Sequence, residues 1–290
     1  MGERLELRAG AWEAQLEPSL GGAVTTLRHE GTDILRPAPE GANHPLDAAS
    51  FPLVPFANRI AHGRFAWAGT AHQIPLNFGE HPHALHGLGW QAAWTVESAS
   101  PTQAVLTHSH PGGGAWPWPY DAEQRIVLDE SGLSITLSVT NRAAEPAPVG
   151  LGFHPYFHAP QGTRLTASLE SVWLADATCI PTGRAPADHF GDWSMGESVA
   201  RAELIDHAFS GWDGDARIAR PDLPAPIRLT ASPELSTLHL YMPPGEPFFC
   251  AEPVGNMPDA PNRSEAGEGE AMRSLAPGEA LAVSMRIAIG

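Results

Sequence analysis

Residues 132–140 read GLSITLSVT, and this stretch decides the fold. Apolar and hydroxyl side chains alternate at every step, which places the apolar set on one face of a β-strand. The turn-like segment DESG precedes it at residues 129–132, and LAVSMRIAI repeats the alternation at residues 281–289. Both stretches are therefore predicted to be strands that bury one face.

Short strands joined by turns are predicted for most of the chain. Residues 238–242 (LHLYM) alternate in the same way, and residues 65–70 (FAWAGT) are typical of a hairpin. Glycine and proline number 29 each, and no stretch with helical periodicity exceeds two turns. The predicted fold class is all-β, a large antiparallel β-sandwich that forms a single domain over residues 1–290.

The charge of the chain excludes several classes of function. Its net charge is −16, so nucleic acid and anionic membranes are poor partners. All 17 basic residues are arginine, which rules out a Schiff-base lysine, pyridoxal-phosphate attachment and a P-loop lysine.

The location is expected to be cytoplasmic. No apolar run approaches the length of a membrane span, and residues 1–7 (MGERLEL) are charged rather than signal-like. Two cysteines, Cys179 and Cys250, do not make a disulfide scaffold. The sequence leaves open whether the protein is a monomer or a homodimer.

Fourteen histidines invite a metal hypothesis, with a cluster at residues 81–86 (HPHALH). The chain has no HExxH motif, no Cys-x-x-Cys pair and no recognisable remaining ligands, so we expect no metal site. The alternative is a histidine-rich metalloenzyme of cupin type, which would contain stoichiometric metal.

Two ionisable residues each stand directly before a proline. His154 lies in GFHPYF at residues 152–157, and Glu252 lies in AEP at residues 251–253. Proline keeps the preceding residue extended, which suits a side chain that must point in one direction. A histidine and a carboxylate fixed in this way are a plausible acid–base pair, and the alternative is two structural residues at strand ends.

Three more segments contain candidate binding residues. Arg59 follows Asn58, and its guanidinium suits sugar hydroxyls or a carboxylate. Trp90 is the last residue of LHGLGW at residues 85–90. Its flat ring suits stacking on a sugar ring, and the alternative is a role in the core. Asp206 stands between apolar residues, where a cap or turn role is also possible.

The motifs NRI-x-x-G-x-F, LHG-x-x-W, G-F-H-P-Y-F, I-D-x-x-F, E-P and L-x-P-G-E follow one another along nearly the whole chain. In this order the sequence resembles the aldose 1-epimerase (galactose mutarotase) family. The resemblance implies a galactose mutarotase-like supersandwich with a sugar-binding cleft. It also implies Glu252 as general base, His154 as general acid, and Arg59, His86 and Asp206 as substrate-binding residues.

The implied activity is interconversion of the α and β anomers of an aldohexose, a small-molecule sugar, without a cofactor. Glu252 would be ionised and His154 protonated in the productive state, and Asp206 would help to keep His154 charged. Two alternatives share this fold. A hexose-6-phosphate epimerase would need several positive charges to bind the phosphate. Arg59 has only one basic residue close to it in sequence, Arg64, which is less charge than such a site needs. A non-catalytic sugar-binding module would use the cleft alone.

Overall fold

The computed structural model describes residues 4–268 and 272–290, so part of the charged N-terminal stretch (residues 1–3) lies outside the described residues. Regular structure in the described residues is almost entirely β-strand. In chain order the strands are β1 (Leu5–Ala9), β2 (Trp12–Glu17), β3 (Ala23–His29), β4 (Thr32–Asp33), β5 (Pro52–Leu53), β6 (Arg59–Ile60), β7 (Arg64–Trp67), β8 (Thr70–Gln73), β9 (Ala84–Leu85), β10 (Thr95–Ser100), β11 (Gln103–His110), β12 (Tyr120–Asp129), β13 (Gly132–Asn141), β14 (Ala147–Val149), β15 (Gly152–Phe153), β16 (Tyr156–His158), β17 (Arg164–Ala167), β18 (Ser171–Ala175), β19 (Pro181–Pro186), β20 (Glu197–Ser198), β21 (Ile205–Ser210), β22 (Asp215–Ala219), β23 (Ile227–Ala231), β24 (Thr237–Met242), β25 (Phe248–Val254), β26 (Arg273–Leu275) and β27 (Ala280–Ile289). The helices are α1 (Ala260–Glu265) and the 3-10 turns Pro45–Asp47, Ala61–Gly63, Gly89–Gln91, Ala187–Phe190 and Trp193–Met195.

Two large sheets contain most of the strands. One has nine strands in the order β10-β11-β12-β13-β27-β23-β22-β17-β20. The other has eight, in the order β19-β18-β21-β24-β25-β15-β5, with β16 pairing with β25 off this path. A four-stranded sheet, β1-β2-β3-β4, and three two-stranded pairs complete the pattern in the described part of the chain. All pairings within these sheets are antiparallel, so the predicted fold class is confirmed.

The two alternating stretches that predicted the fold lie side by side. Strand β13 pairs with β27, with Leu137 opposite Val283, and β12 covers the other edge of β13. The apolar face of β13 is buried as the alternation predicts. Both large sheets contribute side chains to one hydrophobic cluster, which is the core of a sandwich.

The predicted hairpin at residues 65–70 is also confirmed. Strands β7 and β8 pair antiparallel, with Trp67 opposite Thr70. Gly69 adopts a positive φ of 79° in the connecting turn, a conformation that glycine takes without steric cost. The turn chemistry in the sequence was therefore sufficient to place this element.

Strand register in the eight-stranded sheet gathers ionisable side chains on one face. His239 on β24 lies directly opposite Glu252 on β25, and Asp206 on β21 lies opposite Tyr241 on β24. Directly opposed residues project to the same side of a sheet, as do residues two apart on one strand. The four side chains therefore share a face, although they come from distant parts of the sequence.

None of the helices in the described part of the chain is long and apolar enough to cross a bilayer. Both cysteines are free, and Cys250 is fully buried in β25.

Candidate active site

A cavity of about 300 Å³ opens on the polar face of the eight-stranded sheet. Five of the six residues selected from the sequence line it: Arg59, His86, His154, Asp206 and Glu252. They come from three of the strands and from the segments between strands, so the structure brings together residues that are up to 193 positions apart in the chain.

His154 and Glu252 face each other in this cavity. The distance from His154 Nε2 to Glu252 Oε1 is 3.4 Å, and the two side chains are 8% and 2% exposed. His154 also packs against the rings of Phe51 and Tyr156, at centroid distances of 4.6 and 4.7 Å. Neither His154 Nδ1 nor Glu252 Oε2 has a hydrogen-bond partner among the described residues. Acceptors and donors left free in a buried site are available to a ligand.

Burial shifts the pKa values of this pair in opposite directions. It raises the pKa of Glu252 well above its usual range and lowers the pKa of His154 to about 3, outweighing the opposite effect of Asp206 on His154. Burial therefore favours the form of the pair in which both groups are neutral, with one proton on the carboxyl group. The productive form expected from the sequence, ionised Glu252 and protonated His154, contains the same number of protons and is reached by moving one proton across the 3.4 Å gap.

Asp206 is held by three donors. His239 Nε2 donates to Oδ1 at 2.7 Å, while Arg59 Nη2 and Cys179 Sγ donate to Oδ2, both at 3.2 Å. Burial opposes ionisation of Asp206, but the hydrogen bond from His239 and the Arg59 charge together hold its pKa well below the usual range. Asp206 and Arg59 therefore form a charged, hydrogen-bonded pair beside the neutral one.

Asn58 connects the remaining site residues. It adopts a positive φ of 58°, and its Oδ1 accepts from the backbone N–H and the Nη1 of Arg59 at 2.9 and 3.1 Å. Its Nδ2 donates to His239 Nδ1 at 3.2 Å, and its backbone N–H donates to His86 Nδ1 at 3.1 Å. Because both Nδ1 atoms accept, the ring protons of His86 and His239 are on Nε2.

Sequence reasoning missed His239 and Arg36. His239 lies on the polar face of the alternating stretch 238–242, and this position was the signal that could have identified it. The Arg36 guanidinium lies 3.9 Å from the Tyr156 ring centroid and 4.6 Å from that of Phe248. No motif surrounds Arg36, so only the tertiary structure reveals that it lines the cavity.

The predicted stacking role of Trp90 does not hold in this structure. Its side chain is fully buried, and its Nε1 donates to the Leu85 carbonyl at 3.1 Å. Its ring stacks on Phe51 at a centroid distance of 5.7 Å and meets His86 edge-on. Trp90 thus supports the cavity wall from behind and offers no free face to a ligand, as its alternative core role predicted.

Arg64, the nearest basic neighbour of Arg59 in sequence, also lies away from the cavity. Its Nε donates to Gln73 Oε1 at 2.8 Å on the exposed β7–β8 hairpin. The second cation of the cavity is Arg36 instead.

Within the histidine-rich segment at residues 81–86, the His83 ring is held by contacts with two other segments of the chain. His83 Nε2 lies 2.9 Å from Thr178 Oγ1, and His83 Nδ1 accepts from the His62 backbone. In the described ranges, one group of three donors is close enough to share a metal ion, and it consists of His154, Cys250 and Glu252.

Comparison with known proteins identifies the family of this chain. A model of the aldose 1-epimerase family matches residues 4–288. The chain belongs to the aldose 1-epimerase family. The chain is 32% identical over 281 residues to the uncharacterised protein YphB of Escherichia coli K12, with 93% of each chain covered. A crystal structure of a candidate aldose 1-epimerase from Escherichia coli K12 superposes with a TM-score of 0.90 at 30% identity, covering 99% of both chains.

A named enzyme shows a shorter match. Mouse galactose mutarotase is 30% identical over 137 residues, which is 44% of this chain and 39% of that protein. The family and fold thus rest on matches along the whole chain, and the similarity to an enzyme with a named sugar covers less than half of it.

Replacing Asp206 with Asn is expected to destabilise the protein by about 1.5–3 kcal/mol at pH 7, because the charged hydrogen bonds to Arg59 and His239 are weakened in a buried site. The folded-state pKa of Asp206 is depressed, so its contribution is present above the unfolded pKa of about 4 and is lost as the pH falls below it. Urea unfolding at pH 7 measures the first effect, and a series of pH values from 5 down to 2.5 measures the second.

Asp215 provides the matched control for this experiment. It pairs with Arg228 at 2.9 Å, but both side chains are substantially exposed. Asp215→Asn should lower the free energy of unfolding by less than about 1 kcal/mol, because exposed ion pairs contribute little to stability. Equal losses in the two variants would contradict the interpretation of Asp206 as a buried anchor.

Proposed function

We propose that this protein is a mutarotase that interconverts the α and β anomers of an aldohexose. The proposal rests chiefly on the 3.4 Å approach of His154 Nε2 to Glu252 Oε1 on the wall of a cavity of about 300 Å³. That volume is at the lower end of the range for small-molecule sites and suits one monosaccharide. Family membership supports the same class of reaction.

The reaction needs two proton transfers and one bond rotation. Glu252 takes the proton from the anomeric hydroxyl while His154 gives a proton to the ring oxygen, and the C1–O5 bond breaks. The open aldehyde turns about C1–C2 and closes on the opposite face, with both proton transfers reversed. Each positioned group contributes about 10²–10⁴-fold to such a step.

The protonation of the pair fits this cycle. Ring opening leaves a proton on Glu252 and none on His154, which is the arrangement that burial favours at rest. The resting pair is thus complementary to the open-chain sugar, and closure regenerates ionised Glu252 and protonated His154. Solvent exchange is unnecessary, because the pair contains one proton throughout.

The polar residues of the cavity supply complementary contacts for hydroxyl groups. The Asp206 carboxylate accepts, whereas the Arg59 guanidinium and the His86 Nε2–H donate. These groups are fixed by Asn58 and His239, so they are arranged before a sugar binds. Prearranged polar groups give orientation and specificity at low entropic cost.

A hexose 6-phosphate is the second candidate substrate, because Arg36 adds a second cation to the cavity. Each guanidinium has part of its donor set or its charge already paired within the protein, however. Arg36 Nη2 donates to the carbonyls of Leu46 and Ala48, and Arg59 is paired with Asp206. The carboxylates of the same cavity also oppose a phosphate dianion, so the neutral sugar is favoured.

Polarimetry of freshly dissolved α-D-glucose and α-D-galactose tests the proposal. The wild-type protein should accelerate the approach to anomeric equilibrium in proportion to its concentration, while heat-inactivated protein should not. Adding glucose 6-phosphate to the glucose assay should inhibit little. Strong competition would move the assignment to phosphorylated hexoses. Sugar binding without any acceleration of mutarotation would indicate a non-catalytic sugar-binding module instead of an enzyme.

A further inference from the structure

Three different metal-binding donors meet at the acid–base pair. One donor atom each of His154, Cys250 and Glu252 lies within 4.8 Å of the other two, and all three residues are buried. Strand register explains the cluster. Cys250 and Glu252 are two apart on β25 and share a face, and Tyr156, close to His154 in sequence, lies opposite Cys250.

The donor set is the one that a borderline-soft divalent cation selects. Thiolate sulfur, imidazole nitrogen and carboxylate oxygen are all ligands of Zn²⁺, which usually takes them in a tetrahedral arrangement. At the usual Zn–N and Zn–O bond lengths, two tetrahedral ligands lie about 3.4 Å apart. The separation of His154 Nε2 and Glu252 Oε1 is 3.4 Å, so this edge of the tetrahedron is already formed.

A second observation points to a ligand at the same place. Glu252 Oε2 is buried and unpartnered among the described residues, although Glu252 lines the cavity. A thiolate, a carboxylate and a neutral imidazole together carry two negative charges, which a divalent cation neutralises. Three protein ligands leave the fourth tetrahedral position open, which is the usual arrangement in zinc sites that are not purely structural.

We infer that His154, Cys250 and Glu252 form a Zn²⁺ site that switches off the acid–base pair. The Cys250 thiol and the protonated Glu252 carboxyl group each release a proton to solvent as the Zn–S and Zn–O bonds form. Once Zn²⁺ binds, the Nε2 lone pair of His154 and the Glu252 carboxylate are coordinated and can neither donate nor accept a proton. Binding is therefore inhibitory and competes with the sugar for the same cavity. This inference goes beyond the proposed function, since metal binding can be measured without any sugar reaction.

Cobalt titration of the full chain provides the direct test, because Co²⁺ takes zinc ligands and a coordinated thiolate gives a near-ultraviolet charge-transfer band. Wild-type protein should bind one Co²⁺ per chain with this band, and Zn²⁺ should displace it. Cys250→Ser should abolish the band and weaken Co²⁺ binding at least tenfold. The matched control is Cys179→Ser, because Cys179 hydrogen-bonds to Asp206 and lies outside the three-donor cluster; this variant should keep both the band and the affinity.

Several results would overturn the site. Wild-type protein that binds no Co²⁺, or binds it without a thiolate band, excludes the cluster even if the Cys250 variant fails to fold. An unchanged charge-transfer band in Cys250→Ser would show that the metal binds elsewhere in the protein. Failure of mutarotation in the polarimetric assay would leave the metal titration intact, so the two proposals fail separately.

Discussion

Glu252→Gln lowers kcat for mutarotation by about 10²–10⁴-fold and leaves sugar affinity largely unchanged. The amide has nearly the shape of the carboxyl group but cannot accept the anomeric proton. Because the lost contact exists only while the proton moves, the effect falls on kcat and not on KM. Polarimetry measures the rate, and isothermal titration with the same sugar measures the affinity.

An exposed glutamate supplies the control for this variant. Glu203 lies on the surface outside the cavity, so Glu203→Gln should keep the wild-type rate. Near-native turnover in Glu252→Gln would show that Glu252 is not the general base. A loss of sugar binding equal to the loss of rate would make Glu252 a binding residue instead.

Stability should change in the opposite direction to activity in Glu252→Gln. Burial raises the folded-state pKa of Glu252, so the folded protein holds this proton more tightly than the unfolded chain does. The wild type consequently loses stability as the pH rises above the unfolded glutamate pKa of about 4.3. The variant lacks this loss, and its melting temperature should exceed that of the wild type by a margin that grows between pH 5 and pH 8.

His154→Asn lowers the rate by a similar factor of about 10²–10⁴, because the ring oxygen then leaves without a proton donor. The effect should not add to that of Glu252→Gln, since the two residues exchange one proton and act as a unit. The double variant is therefore expected to be about as slow as either single variant. Full additivity would show that the two side chains work independently.

The pH dependence separates this role from that of an ordinary histidine. The pKa of His154 is lowered to about 3 by burial, so the pair takes up no second proton across the neutral range. The kcat/KM of the wild type should show no inflection near pH 6.5, the usual histidine value. A limb at that pH which disappears in His154→Asn would contradict the one-proton pair. His189→Asn, at an exposed histidine, is the control for nonspecific effects.

The pH dependence of wild-type stability should also reveal the lowered pKa of His154. With its folded-state pKa below the unfolded value, the native protein cannot take up the proton that the unfolded chain gains below about pH 6.5. Stability therefore declines from that pH towards pH 3, and His154→Asn removes this contribution.

Much of the fold could be predicted from local pattern. The alternation at residues 132–140 and 281–289 was enough to predict strands with one buried face, because side chains in a strand change faces at every residue. The hairpin at residues 65–70 followed from its turn residues. The pairing of the strands was not predictable. Strands β13 and β27 pair although they are far apart in sequence, and periodicity does not indicate which strand lies beside which.

The candidate site was predictable only where a motif marked it. Arg59, His86 and Asp206 stand in motifs, and the structure places them at one cavity. Trp90 stands in a motif too, yet its ring is buried behind the wall, because a tryptophan beside two glycines suits a core turn as well as a sugar platform. Arg36 has no motif and reaches the cavity through its contacts with Tyr156 and Phe248.

The sequence by itself determined the strand class, the absence of lysine chemistry, and the identity of the acid and base candidates. Only the tertiary structure decided that His154 and Glu252 lie 3.4 Å apart, that His239 and Asn58 hold Asp206 and Arg59, and that Cys250 joins the pair. The physical reason is that strand register, set by packing across a whole sheet, controls which distant residues share a face. Burial in that packed face then shifts the pKa values of the pair, and no local stretch of sequence contains that information.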